Sequence, residues 1–355
     1  MTCTAEKLKP QRYGSCDLLR FIFSLYIVGN HFYHIGVPGE PFVAARIFVE
    51  FFFMVSGYFM IQHFEKNYTA MGTDVSAKNA FGYTLRKYKS LMYFVIPCIL
   101  AEYLFRVLYN VLSSDGFSKT GDVLQNLPLE LSMIGPLTDT RSLVPIWYIS
   151  AMLIAMPLLC FVYLRFRTAF IYIFSWLVPV VYLLWQNGVH PKSVGVEAVA
   201  RGYCDMSLGC FVYFFAQKIK SIDITRFRKL LLTLIEFICF ALPIYYVSFK
   251  NESQYNLILL LFGIGIAIMM SRCSYSAKIN GRFFSYLGKL SLPIYTLHWC
   301  IGSLVLILIR YIEPVAKSLE IRIAVYYALT IISAIILCFA VDKIKARQKS
   351  KKQKA

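Results

Sequence analysis

Ten apolar stretches run along the chain, at 18–37, 41–62, 90–110, 145–164, 168–186, 203–218, 229–249, 255–271, 290–312 and 321–341. A helix needs about 17–25 predominantly apolar residues to cross a bilayer. Backbone inside lipid must satisfy its own hydrogen bonds, which leaves only helices or closed barrels. Stretches of this length select helices. The expected fold class is an all-α polytopic membrane protein with about ten transmembrane helices. Composition agrees: 58% of the residues are hydrophobic and 16% charged, where soluble domains carry about 25% charged residues. A water-soluble enzyme is excluded on that ground. A disordered chain is excluded by 29 Phe and 25 Tyr, too much apolar surface to stay unfolded.

The net charge of +18 would in a soluble protein suggest nucleic acid. Its distribution says otherwise. Of the 37 Lys and Arg, 26 fall in segments 1–17, 63–89, 165–167, 218–229, 272–289 and 342–355. The alternate segments hold only Lys119, Arg141, Lys192, Arg201, Lys250, Lys317 and Arg322. With acidic residues included, the first side carries +20, the second −2 and the spans zero. Positive-inside bias therefore places both termini in the cytoplasm. The expected partner is the lipid bilayer, not nucleic acid, and the expected location is a cell membrane of the bacterial plasma type. One transmembrane domain is expected over 1–341, followed by a basic cytoplasmic tail, 342–355, read as disordered against anionic lipid. The apolar run from Phe21 lacks a small-residue cleavage site, so the first span should be its own anchor. The longest stretch between spans, 111–144, is a candidate cover for a pocket. Ten scattered cysteines without a Cys-x-x-Cys pair read as small apolar core residues. Five dispersed histidines, none spaced i,i+4, give no basis for a metal centre.

Ionisable groups inside spans are costly and mark functional sites by default. The first span carries Asp17, Arg20, Asn30 and His31. Arg20 and His31 share one helix face about 16 Å apart, and Asp17 lies one turn before Arg20. Two readings stand at this point. Asp17 caps the helix, Arg20 snorkels and His31 bonds a neighbouring span; or His31 is a neutral imidazole placed to deprotonate a hydroxyl. Glu50 precedes Phe51-Phe52-Phe53-Met54-Val55-Ser56-Gly57, whose small residues suit either close helix packing or a pocket wall. Glu102, Asp205, Glu236 and His298 are also embedded, and His298 shares a face with Tyr295 and Ser291. His34, His63 and His190 are read as surface residues. Arg86-Lys87-Tyr88-Lys89 opens the third span, on the same side as Arg20.

Four stretches resemble acyltransferase family 3, membrane-bound O-acyltransferases that decorate surface glycans. Asp17-Leu18-Leu19-Arg20 with Asn30-His31 resembles the family's Asp-x-x-Arg and Arg-then-ten-then-His patterns. Phe52-Phe53-Met54-Val55-Ser56-Gly57-Tyr58 resembles Phe-Phe-x-x-Ser-Gly. Arg86 and Lys89 resemble Arg-x-x-Arg, with lysine replacing the second arginine and losing its bidentate fork. Leu287-Gly288-Lys289-Leu290-Ser291 with Ile294-Tyr295-Thr296-Leu297-His298 resembles Gly-Lys-x-Ser…Tyr-x-x-His. After Trp147-Tyr148-Ile149-Ser150, Met152 and Leu153 stand where many members carry glutamate.

The resemblance implies acyl transfer from a cytosolic acyl-CoA co-substrate, commonly acetyl-CoA, to a hydroxyl of an extracytoplasmic glycan or cell-envelope acceptor. It implies a catalytic set of His31, Arg20 and Asp17, with His31 as general base and Asp17 orienting Arg20. Arg86 and Lys89 would hold the donor, and Glu50, Ser56, Trp147, Tyr148, Tyr295 and His298 would form a pocket. No permanently bound cofactor or metal is implied. The rival reading is a multi-span transporter or flippase of a polar or lipid-linked substrate.

Overall fold

The computed structural model describes residues 12–39, 41–71, 77–113, 121, 124–133, 135, 138, 143–186, 191–250 and 254–354. The 111–144 stretch expected to cover a pocket thus lies largely outside the described residues. The protein is all-helical, 88% helix, with no strand among the described residues. Ten long helices follow one another: α1 (Gly14–Asn30), α2 (Phe48–Met71), α3 (Ala77–Leu112), α4 (Ile146–Arg165), α5 (Arg167–Gln186), α6 (Gly195–Lys220), α7 (Arg226–Lys250), α8 (Tyr255–Ser271), α9 (Arg282–Tyr311) and α10 (Leu319–Lys354).

Seven of these, α2, α3, α4, α5, α7, α9 and α10, are long and apolar enough to cross a membrane. The other three expected spans are shorter or more polar. Helices α1 and α8 have 17 residues each, the lower limit for a crossing, and α1 carries Asp17 and Arg20. Helix α6 is 26 residues long but carries Glu197, Arg201, Asp205, Lys218 and Lys220. All three pack inside the bundle: α1 against α9, and α6 among α2, α4, α5 and α8. A helix shielded by protein on most sides need not be apolar all round, because its polar groups find protein partners. Peripheral helices show the reverse pattern. Leu184, Phe237 and Phe339 are 75%, 69% and 70% exposed, a belt of apolar surface that suits lipid rather than water.

Two close crossings set the interior. A Cβ on Gly57 of α2 would overlap the Met206 carbonyl oxygen of α6, and one on Gly209 of α6 would overlap the Met54 carbonyl of α2. Small residues at such crossings let helix backbones meet. On the other side, a Cβ on Gly288 of α9 would overlap the Asp17 carboxylate of α1.

The tail expected to be disordered is instead the end of α10, which continues through Lys354. Its Lys, Arg, Gln and Ala residues are strong helix formers, and the helix docks on α3. Tyr93 Oη donates to Gln348 Oε1 at 2.6 Å, and Lys345 Nζ lies 5.1 Å from the Tyr93 ring centroid.

Candidate active site

Where α1 begins and α10 ends, the bundle holds a cavity of about 450 Å³ whose walls include Arg12, Asp17, Arg20, Gly288, Lys289, Asp342 and Lys345. It shares Arg20, Phe59, Phe94 and Leu292 with a deeper slot of about 210 Å³. Ser56, Lys87, Tyr148, Met152, Ser291 and Tyr295 complete the slot. Arg20 lies 3.5 Å from Asp17 and Lys289 lies 3.0 Å from Asp342. Arg12 and Lys345 add positive charge beyond those two pairs, and Lys87 adds it in the slot, so the cavity suits a polyanion.

The expected site residues divide by position. Asp17 and Arg20 stand at the mouth, as their spacing suggested. Ser56, Tyr148 and Tyr295 line the slot, with Ser56 Oγ 3.3 Å from Tyr148 Oη and Tyr295 Oη donating to the Pro145 carbonyl at 2.9 Å. Met152, one of the residues in place of the family glutamate, makes that wall apolar. Arg86 and Lys89, expected to hold the donor, are exposed and line neither cavity. Lys87 between them does, because 87, 90, 91 and 94 fall on one face of α3. That face was readable from Lys87, Ser90, Leu91 and Phe94 taken together. Arg12 and Lys345 carried no such signal, since only the tertiary fold brings the two ends of the chain to one mouth.

Glu50 and Trp147 belong elsewhere. Glu50 sits in the first turn of α2 and pairs with Arg201 of α6, both completely buried. The Arg201 guanidinium lies 4.6 Å from the Trp147 ring centroid. Arg201, expected in a segment between spans, is therefore an interior residue that ties α2 to α6 opposite the basic mouth. Asn30 also has a structural role: with its amide assigned so that the nitrogen faces the next segment, it donates to the carbonyls of Phe42 at 3.2 Å and Val43 at 2.7 Å.

Beyond the slot the structure joins two histidines that lie 267 residues apart. His298 Nε2 is 3.1 Å from His31 Nδ1. His31 Nδ1 is also 2.9 Å from the Ile27 carbonyl, and His298 Nδ1 is 3.2 Å from the Ile294 carbonyl. A carbonyl only accepts, so each Nδ1 carries the proton. His298 Nε2 then accepts from His31 Nδ1–H, which makes His31 Nε2 the unprotonated nitrogen. This is the tautomer a general base needs, with a second imidazole behind it to share charge once the base is protonated. The slot ends at Tyr295, about one helical turn below His298 on α9. His31 lines neither cavity.

Fold and site together point to a multi-pass membrane protein with a basic chamber leading toward a buried histidine pair. The family model described as an acyltransferase domain, of the acyltransferase 3 type, matches residues 13–343. The chain belongs to that family, as the four sequence stretches suggested. Curated proteins and solved structures gave no match to the chain. Membership in an acyltransferase family favours the transferase reading over the transporter reading.

Proposed function

We propose that the protein is an O-acyltransferase that takes an acyl group, acetyl in the simplest case, from cytosolic acyl-CoA. It delivers the group to a hydroxyl of an extracytoplasmic carbohydrate or cell-envelope acceptor, with His31 as general base. The observation that carries this reading is the His31–His298 pair placed beyond a slot that opens at a basic chamber. In this reading the chamber faces the cytoplasm together with both termini, as the distribution of Lys and Arg favours, and the chain crosses a cell membrane ten times. The CoA phosphates meet Arg12, Arg20, Lys289 and Lys345. The pantetheine arm follows the slot past Lys87 and Tyr148, along the roughly 16 Å that separate Arg20 from His31 on α1.

His31 Nε2 takes the acceptor hydroxyl proton as the oxygen attacks the thioester carbonyl. The new C–O bond forms, the C–S bond breaks, and the thiolate leaves and recovers the proton from His31. His298 shares the positive charge while His31 is protonated, and Asp17 orients Arg20 at the mouth. Radiolabelled acetyl-CoA supplied to membranes tests the assignment. His31→Ala should lower transfer by about 10²–10⁴-fold with normal amounts of inserted protein, and full activity in that variant would sink it.

A further inference from the structure

A third cavity, of about 480 Å³, lies behind α1 at the end of the bundle where that helix begins. Helix α1 separates it from the basic chamber: Asp17 and Arg20 face the chamber, whereas Leu18 and Leu19 face this cleft. The opposite wall is one face of α7, on which Thr233, Glu236, Phe240 and Ile244 recur at helical spacing. The short helix Tyr275–Lys278 closes the near end. Phe237, also in the wall, belongs to the exposed apolar belt, so the cleft opens sideways toward lipid rather than toward water.

Polarity changes in order along the cleft. At its mouth stands Tyr275, 37% exposed, with Lys229 Nζ 5.0 Å and Lys278 Nζ 5.3 Å from its ring centroid. The mouth is tied to the bundle: the Tyr275 amide donates to Thr233 Oγ1 at 2.9 Å, and the Ser274 and Ser276 hydroxyls are 3.0 Å apart. Next comes Glu236, about 10 Å beyond Lys229 along α7, its side chain leaning back toward the mouth as helical side chains do. Glu236 is only 5% exposed. Ser274 and Ser276 bond its carboxyl group, yet Oε2 has no partner among the described residues. A buried polar atom without a partner is costly, so Oε2 marks a place for a polar group of a ligand. Beyond Glu236 the walls are apolar, with Leu18 and Leu19 across from Phe240 and Ile244, the last about 12 Å deeper than Glu236.

We propose that this cleft seats one anionic glycerophospholipid, held as a fixed part of the fold. Cations, carboxyl group and hydrocarbon walls succeed one another down the cleft in the order of the lipid's phosphate, glycerol backbone and acyl chain. Lys229 and Lys278 meet the phosphate, and Tyr275 sits at headgroup level, where tyrosine is common. A carboxyl group accepts from a hydroxyl or, when protonated, donates to an ester carbonyl, so Glu236 Oε2 finds its partner at the glycerol level. The acyl chain covers Phe240, Ile244 and the two leucines of α1. A largely apolar pocket with a few converging polar groups is the usual form of a small-ligand site. Because α1 also carries Asp17 and Arg20, the lipid supports from behind a helix that walls the basic chamber. The site stands whether or not the chain transfers acyl groups.

The full chain, purified in detergent and stripped of lipid, is titrated with phosphatidylglycerol and separately with phosphatidylcholine, and bound lipid is counted by native mass spectrometry. One phosphatidylglycerol should bind per chain, at least ten-fold more tightly than phosphatidylcholine, and should raise the unfolding temperature by mass action. Lys229→Ala combined with Lys278→Ala should weaken phosphatidylglycerol about 30-fold, roughly five-fold for each charge, and leave phosphatidylcholine unchanged. Ala241→Trp, which fills the cleft, should remove the tight site. Lys229 is half-buried and Lys278 exposed, so the double lysine variant carries the test if Ala241→Trp does not fold. Equal binding of the two lipids overturns the site, as does full affinity for phosphatidylglycerol in the double lysine variant or in folded Ala241→Trp protein. Acyl transfer is read in none of these arms, so a failure here leaves the transferase reading where it stands.

Discussion

His298 offers the sharpest test of the arrangement because its removal leaves half of the geometry in place. His31 Nδ1–H has two acceptors, His298 Nε2 at 3.1 Å and the Ile27 carbonyl at 2.9 Å. In a His298→Leu protein the Ile27 carbonyl still holds the proton on Nδ1, so His31 keeps the tautomer with Nε2 as base. What disappears is the hydrogen bond that strengthens as His31 becomes positively charged. Hydrogen bonds to charged groups contribute about 1.5–3 kcal/mol, and each 1.36 kcal/mol is a factor of ten in rate. The expected loss in kcat is therefore about 10- to 150-fold, with the donor KM little changed. It should be smaller than the loss in His31→Ala. Purified protein in nanodiscs, titrated with acetyl-CoA and followed by thiol release, separates kcat from KM. Equal losses in the two single variants would refute the reasoning, because His298 would then be as essential as the base. No loss in His298→Leu would refute it from the other side.

Two further outcomes follow from the basic chamber and the far-end ion pair. Lys345→Ala should raise the donor KM about five-fold, the effect of roughly 1 kcal/mol for a solvent-screened charge. The difference from wild type should shrink with added salt, and a salt-independent effect would speak against phosphate contact. Glu50→Gln removes the carboxylate paired with buried Arg201, leaving Asp205 as the remaining acidic neighbour, and should cost up to about 3–5 kcal/mol of stability, seen as a fall in the folded fraction by size-exclusion in detergent. Glu50→Met combined with Arg201→Met should recover most of it, and a double variant as unstable as the single one would count against a purely structural role.

Most helices were legible because their signals are local. Helical spacing placed Arg20 and His31 on one face, and Asp17 beside Arg20, without any tertiary information. What stayed hidden depends on distant parts of the chain meeting. Glu50 was visible as a buried charge, but its partner Arg201 comes 151 residues later and reads as a residue between spans. Lys345 was hidden for a different reason: a run of lysines has the composition of a solvated tail whether or not it docks. The pairing of His31 with His298 was not readable, since each residue stands in its own motif, and the tautomer required carbonyl positions that spacing does not give. His34, read as a surface residue, is tied to Ser303 by the meeting of α9 with the short helix after α1.

The polar interior helices also bear on how the protein is made. Helix α6 brings Arg201 and Asp205, and such residues near the middle of an inserting helix cost about 2.5–3.5 kcal/mol each on the insertion scale. Released alone from the translocation machinery, α6 has little reason to enter the bilayer. Helix α2 is synthesised earlier and waits with Glu50 and with Gly57, the glycine whose bare backbone admits the α6 crossing. Arg201 meets its counterion as α6 lies down against that surface. In the ten-span reading, insertion and tertiary folding of this segment would be one event, with the Glu50–Arg201 contact doing what hydropathy alone would not.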